Sequence, residues 1–333
     1  MSTVALPPLS DILASARVVS LPLAARFRGI DTREALVFEG PQGWAEFSPF
    51  VEYADVEAAT WLAGAIDFGW RPSPPAVRDL VAVNATMPAV AASEVPRILA
   101  RYDGCRTVKV KVAEAGQTLA DDVARVRAVR EAMGPEGRVR VDANGAWNVD
   151  EAERAIHALA EFDLEYVEQP CAEVDELAEL RERVGYLDIP IAADESVRKA
   201  ADPLRVARAG AADLLVIKAQ PLGGVHAARE IVAHAGLPAV VSSALDTSIG
   251  LSMGVALAAS LPDLDYDCGL GTAALFTADV VASPLVARDG VLSLERPRPR
   301  SADLDRVEAS EERRDWWMDR LRRCYALVEV TRG

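Results

Sequence analysis

Apolar and polar positions follow two different rhythms along this 333-residue chain. Near the start, Ala16–Leu21 and Glu34–Glu39 alternate with a period of two, the mark of half-buried strands. Gly40-Pro41-Gln42-Gly43 is a turn leading back into Trp44–Phe47, so the pattern predicts a small antiparallel hairpin. A helix follows, because Val56, Ala59, Leu62, Ala63 and Ile66 recur at helical spacing, with Asp55 placed to cap it. Arg71-Pro72-Ser73-Pro74-Pro75 then breaks regular structure and reads as a linker.

From Leu80 the rhythm changes to short β-rich runs separated by longer amphipathic stretches. Eight runs qualify as strands: Leu80–Asn84, Thr107–Val112, Val139–Asp142, Tyr166–Glu168, Ile191–Asp194, Leu214–Lys218, Ala239–Ser243 and Tyr266–Cys268. Helices such as Ala120–Met133 and Val149–Glu161 lie between them, as a parallel sheet requires. Lys111, Asp142, Glu168, Asp194, Lys218, Ser243 and Cys268 end successive runs, roughly every 25 residues, a period that suits a (β/α)8 barrel of the α/β class. A doubly wound open sheet is the competing arrangement, but it would not gather seven consecutive strand ends around one mouth. Leu275–Arg300 is irregular and rich in proline. Ser310–Val328 reads as a helix anchored by Trp316, Trp317, Leu321 and Tyr325, packing back on the N-terminal region or, alternatively, offering its tryptophans to a dimer interface.

Composition narrows the function classes. Half the residues are apolar, enough for a large core, and 36 basic against 51 acidic residues give a formal charge of −15. Such a chain repels phosphate backbones and anionic membranes, so nucleic acid and membrane insertion are not expected. Met1–Leu13 carries no targeting pattern, and no segment reaches the roughly 18 apolar residues that a membrane span needs. Cys105, Cys171, Cys268 and Cys324 form no close pair, which suits a reducing, cytoplasmic setting, and His157, His226 and His234 lack metal-ligand spacing. Oligomeric state is left open.

The candidate chemistry sits at the strand ends. Asp142, Glu168 and Asp194 end three consecutive runs, and carboxylates crowded at one mouth call for a hard divalent cation, magnesium by preference, with manganese as a substitute. Lys109 and Lys111 alternate with Val108, Val110 and Val112, which puts both lysines on one face of their strand. Lys218 ends an apolar strand four places further round the ring, facing Lys111 across the mouth. A lysine on each side of a metal-clamped carboxylate suits removal of an α-proton, provided that the base is neutral near pH 7.

The set Lys109-x-Lys111, Asp142-x-Asn144, Glu168-Gln169-Pro170, Asp194-Glu195-Ser196 and Lys218 resembles the muconate-lactonizing subgroup of the enolase superfamily, over about residues 80–270. The resemblance implies Lys111 as acid/base, Lys218 as second base or electrostatic partner, and Asp142, Glu168 and Asp194 as magnesium ligands. It implies an α+β capping domain over residues 1–78, a barrel over 79–290, a returning segment over 291–333, and a mobile specificity loop at Pro22–Ile30. Trp44–Pro49, Val83–Pro88, Ser242-Ser243-Ala244 and Gly269–Thr272 are similar to members that dehydrate 2-succinyl-6-hydroxy-2,4-cyclohexadiene-1-carboxylate for menaquinone synthesis, so a lyase acting on a small anionic substrate is implied. Lys109, Asn144, Gln169, Glu195, Ser242, Ser243, Arg26 and Arg28 are the candidate substrate contacts or supporting groups. N-acylamino acid racemisation, dipeptide epimerisation and muconate cycloisomerisation run on the same apparatus. Epimerases of this kind carry an Asp-x-Asp near the eighth strand, but Asp265-x-Asp267 here falls early on its run. A metal-binding barrel without catalysis would not need both Lys111 and Lys218.

Overall fold

The hairpin seen in the sequence is a three-stranded antiparallel sheet in the structure, a computed structural model that describes residues 6–198 and 203–332. Of the Met1–Leu13 stretch, the first five residues lie outside the described residues, and α1 (Leu9–Leu13) is a short helix. β1 (Arg17–Phe27) and β2 (Ile30–Gly40) run on beyond the expected strands, with an irregular register between Pro22 and Phe27. Pro22–Ile30 is therefore largely strand and not a loop. A two-residue turn of Arg28 (φ 50°) and Gly29 (φ 78°) closes it, the doubly left-handed geometry that matches strand twist. β3 (Gly43–Phe47) completes the sheet, and α2 (Asp55–Trp70) packs beneath it. Asp55 does not cap α2. Ala54 holds that position, and the Asp55 carboxylate is drawn to Arg323 at 2.6 Å.

The barrel strands follow in chain order. β4 (Leu80–Ala82) pairs antiparallel with Val291–Ser293, outside the parallel sheet, so the first parallel strand is β5 (Ala85–Met87), later than expected. Burial explains the shift: Leu80 and Ala82 are exposed, whereas Ala85, Thr86 and Met87 are all buried, as a strand covered on both faces must be. β6 (Thr107–Lys111), β7 (Arg138–Asp142), β8 (Leu164–Glu168), β9 (Ile191–Ala193), β10 (Leu214–Lys218) and β11 (Ala239–Ser242) join β5 in one seven-stranded parallel sheet, neighbours in sequence being neighbours in space. Tyr266–Cys268 is not an eighth strand. Single parallel bridges join Cys268 to Val83 and Gly269 to Ser242, so this short stretch touches both ends of the sheet.

Helices α3 (Val95–Leu99), α4 (Leu119–Met133), α5 (Val149–Leu159), α6 (Val174–Val184), the short α7 (Glu195–Arg198) and α8 (Arg205–Arg208), α9 (Val225–Ala235) and α10 (Ser248–Ser260) connect the strands. Thr118 with Asp121, and Asn148 with Glu151, form reciprocal capping boxes that start α4 and α5. The architecture is a TIM-like barrel with an N-terminal cap.

α10 is buried on every side, and its first turn is held by acids from elsewhere. Asp279 accepts from Ser248 Oγ (2.7 Å) and from the Ser248 and Val280 amides, while burial pushes its carboxyl up to about 6. Its folded value exceeds the unfolded one, so the folded chain keeps a proton that the unfolded chain sheds, and stability falls between about pH 4 and 6. Asp279→Asn cannot shed it. Its stability is expected to gain on that of the wild type as pH rises across that window, by up to ~3 kcal/mol, read from parallel thermal melts. A constant difference would remove the titration argument.

After the barrel come β12 (Val291–Ser293), α11 (Ser301–Asp305) and α12 (Glu311–Arg332). α12 returns to the cap. Trp317 is fully buried, meets Phe47 edge to face at 5.8 Å and donates to Glu34 at 2.8 Å, so it is not an interface residue. Arg313 grips the same carboxylate, and Tyr325 donates to Pro7 O.

Candidate active site

Strand register places the acids and lysines in one layer. Lys111 pairs with Asp142, Asp142 with Glu168, and Glu168 with Ala192, while Lys218 pairs with Ser242 across β10 and β11. Side chains at partnered positions point the same way, so these groups share the barrel interior at its C-terminal rim. All of them are buried.

The contacts are dense. Lys111 Nζ donates to Asp142 Oδ2 (2.5 Å) and Asn144 Oδ1 (2.7 Å). Lys109, one inward position lower, reaches Glu168 Oε1 at 2.6 Å and Asp142 Oδ2 at 3.1 Å. Lys218 donates to Asp194, whose other oxygen meets Arg198 Nε at 3.1 Å. Arg198 also holds Glu195 at 2.7 Å, and Asn144 Nδ2 donates to the same Glu195 oxygen at 3.3 Å. Gln169, in a left-handed conformation (φ 39°), accepts from the Asp194 and Ser196 amides and donates to Cys171 O and Ser196 Oγ, which locks the end of β8 to that of β9. Ser242 and Ser243 both donate to Gly269 O, and Ser243 also bonds Thr272.

Burial and charge divide the titrations. For Asp142, burial works upward, but Lys109 and Lys111 outweigh it and hold the acid well below its ordinary range. Asp194 is likewise held at about 2 by Lys218 and Arg198 against burial. Glu168 is pushed up to about 7, first by burial and then by Asp142. Burial lowers Lys111, with Lys109 adding to the effect, whereas Asp142 and Glu168 overcome burial at Lys109 and raise it well above the ordinary lysine value. Two lysines two residues apart are thus driven in opposite directions.

A cavity of about 30 Å³ lies between Lys111 and Lys218, lined also by Lys109, Asn144, Ser242, Ser243 and Thr86 of the barrel and by Phe27, Arg28 and Phe50 of the cap. Arg28 rests over the Phe50 ring at 4.6 Å. Arg26 is exposed and does not line this space. A roomier cleft, lined by Leu80 and by residues between 281 and 303, shares no residue with it. Asp267 is spent elsewhere: it bonds Thr107 and Arg138, at the starts of β6 and β7, far down the barrel from the mouth.

The acids are oxygen donors of the kind that magnesium takes. As placed, no trio of acid, histidine or cysteine side chains among the described residues closes around an ion, because the lysine amines sit between the carboxylates. Yet Glu168 Oε2 and Glu195 Oε2 are buried without a hydrogen-bond partner, a costly state that a cation relieves. The donor set therefore fits a divalent ion. Arg198, Phe27, Phe50, Thr86 and Thr272 were not singled out from the sequence. Thr86, Thr272 and Phe27 fell within stretches noted for their resemblance, and Arg198 carried a signal of its own in its four-residue spacing from Asp194 in a short helix.

Comparison with known proteins places this geometry. The model for "Enolase N-terminal domain-like" matches residues 18–69 and that for "Enolase C-terminal domain-like" residues 92–299, which defines an enolase-type capped barrel. A muconate lactonizing enzyme from Pseudomonas fluorescens (TM-score 0.74, 22% identity, 89% of this chain and 98% of that one) and an L-Ala-D/L-Glu epimerase from Bacillus subtilis (0.72, 22%, 85% and 96%) share the fold. The chain is 56% identical to o-succinylbenzoate synthase of Mycolicibacterium smegmatis over 97% of this chain and 98% of the relative, and 55% identical to that of Mycobacterium tuberculosis over 98% and 99%. It belongs to the o-succinylbenzoate synthase family of the enolase superfamily.

Proposed function

We propose that this protein is a lyase that dehydrates 2-succinyl-6-hydroxy-2,4-cyclohexadiene-1-carboxylate to 2-succinylbenzoate and water, a step of menaquinone synthesis. The observation that carries the reading is the pairing of near-complete similarity to o-succinylbenzoate synthases with a Lys111–Lys218 cavity beside three buried acids. We read residues 1–78 and 291–333 as the cap and 79–290 as a (β/α)8 barrel, with residues 268–269 standing in the eighth strand's place. The family matches at 18–69 and 92–299 support that division.

Asp142, Glu168 and Asp194 are the residues that would hold magnesium, or manganese in its stead. When bound, the ion supplies positive charge to the substrate's ring carboxylate as negative charge develops there. Lys111, whose burial lowers its hold on a proton, takes the proton from the ring carbon bearing that carboxylate. The C–H electron pair moves into the ring, and the C–O bond to the ring hydroxyl breaks. Lys111 returns its proton to the departing oxygen, so water leaves and the ring becomes aromatic. Lys218 stands opposite, fixed by Asp194, and Asn144 holds Lys111 in line. Arg28, which lines the cavity, is the first choice of contact for the succinyl carboxylate, ahead of the exposed Arg26. Asp267 is held at the barrel's lower end by Thr107 and Arg138, away from where the Asp-x-Asp of an epimerase would hold a dipeptide's ammonium, which favours dehydration over epimerisation. A cavity of about 30 Å³ has room for about one water, so Phe27, Arg28 and Phe50 of the cap must shift to admit a substituted ring. The four free thiols suit work in the cytoplasm.

The test is loss of the cyclohexadiene absorbance with purified protein in Mg²⁺, then in EDTA, then with Mg²⁺ restored. Fast turnover that disappears on chelation and returns is expected. No turnover in a folded, Mg²⁺-loaded protein would sink the reading and direct attention to α-proton exchange in N-acylamino acids.

A further inference from the structure

A second buried polar cluster joins cap to barrel, away from the metal acids. Arg33 of β2 is 2% exposed, yet makes no use of its charge in a direct ion pair among the described residues. Its guanidinium is spent on backbone carbonyls: Leu245 O at 3.2 Å, Ala244 O at 3.4 Å, Glu34 O at 3.3 Å, and Ser48 O. Ala244 and Leu245 line the cavity beside Lys218, and Leu245 is held at φ 63°, a conformation that a bulky residue adopts only under restraint.

The same guanidinium lies over Phe50 at 4.2 Å, and Arg28 lies over that ring at 4.6 Å. Two cations thus share one aromatic platform, Arg33 anchoring it and Arg28 using it. Around this, Asp246 accepts from the Ala244 amide (3.2 Å) and from Gln220 (3.3 Å), Gln220 accepts from the Ser48 amide, and Ser48 Oγ donates to Glu46 at 2.6 Å. Glu46, from β3, accepts from the Thr247 and Gly250 amides at the start of α10. The acids approach so closely over Gly250 that a Cβ there would lie 2.7 Å from Asp246 Cβ and 2.8 Å from Glu46 Cδ. Glu46 and Asp246 balance the Arg33 charge without touching it.

We propose that Arg33 is a positioning residue for substrate binding: from the capping sheet it fixes the Ala244–Leu245 wall beside Lys218 and the Phe50 face on which Arg28 rests. This deepens the lyase reading and rests on it. Only a planar fork of donors satisfies several carbonyls and stacks on a ring at once, so lysine is a poor replacement. Arg33 reaches neither Lys111 nor the three acids, and its loss weakens the grip on the substrate's anionic end more than it slows proton transfer.

The experiment uses the full chain with Arg33→Met and Arg33→Lys, steady-state kinetics, calorimetric binding of 2-succinylbenzoate, and hydrogen–deuterium exchange. In Arg33→Met, KM and the product Kd are expected to rise about tenfold or more while kcat falls less than threefold. Exchange should quicken at amides 244–247 and 24–30 but not in β6–β8, and Arg33→Lys should recover little. Wild-type KM and product affinity in a folded Arg33→Met protein would overturn the proposal. So would a fall in kcat at constant KM, or protection lost evenly through the barrel, the latter marking a merely structural role. If Arg33→Met does not fold, Asp246→Asn, which loosens the same Ala244 amide, takes its place with the same readouts. Should the wild type neither turn over the diene nor bind the product, the lyase reading fails by itself, and the local exchange pattern still decides whether Arg33 holds this wall.

Discussion

Lys111→Ala is expected to lower turnover by at least about 10⁴-fold, because one side chain both removes the α-proton and returns it to the leaving oxygen. No neighbour can replace it. Lys109 is locked on Glu168 and Asp142 and raised well above the ordinary lysine value, so it stays protonated. Lys218 lies on the other side of the cavity, bound to Asp194. The fold should survive, since Asp142 keeps its 3.1 Å pair with Lys109 when Lys111 is gone. Diene absorbance measured beside a thermal melt checks both halves. Retention of more than a few per cent of wild-type turnover in the variant would assign the base elsewhere.

Glu168→Gln is expected to cost about 10³-fold in turnover, comparable to removing one electrostatic group aimed at developing charge. Glu168 is fully buried, one oxygen lacks any partner, and burial with Asp142 pushes its carboxyl up to about 7. Such a group is part-ionised at neutral pH, and a bound cation would favour its charged form. With glutamine the site holds one negative charge fewer, so half-saturation with Mg²⁺ should move to higher concentration as well, read from rate against added metal. An unchanged Mg²⁺ requirement with lowered turnover would show that Glu168 steadies Lys109 and does not hold the ion.

The barrel and its lysines and acids were legible because they are strand-end residues on a regular repeat, and a parallel strand's face follows from simple alternation. The first and eighth strands were not. Leu80–Asn84 has strand composition, but its role as an edge ribbon depends on Val291–Ser293, some two hundred residues away, and Cys268 and Gly269 each make a single bridge, to Val83 and Ser242, too brief to leave a pattern. Asp55 looked like a helix cap until α12 supplied Arg323. Arg26 and Arg28 were indistinguishable in sequence, and only the left-handed turn at Arg28-Gly29 turns one to the cavity and the other to solvent. Arg33, Glu46 and Asp246 meet across the cap–barrel boundary, and a contact of that range has no local signature.

The clasp of α12 on the capping sheet also sets an order of assembly. Strands β1–β3 leave the ribosome before the barrel does, and the barrel before Trp317 and Arg313 exist to cover Phe47 and Glu34. At cellular elongation rates that interval is on the order of tens of seconds. During it Phe47 lacks the ring that covers it in the folded chain, and Glu34 lacks both its arginine and its indole donor, so the early sheet cannot reach its final packing until synthesis is nearly over.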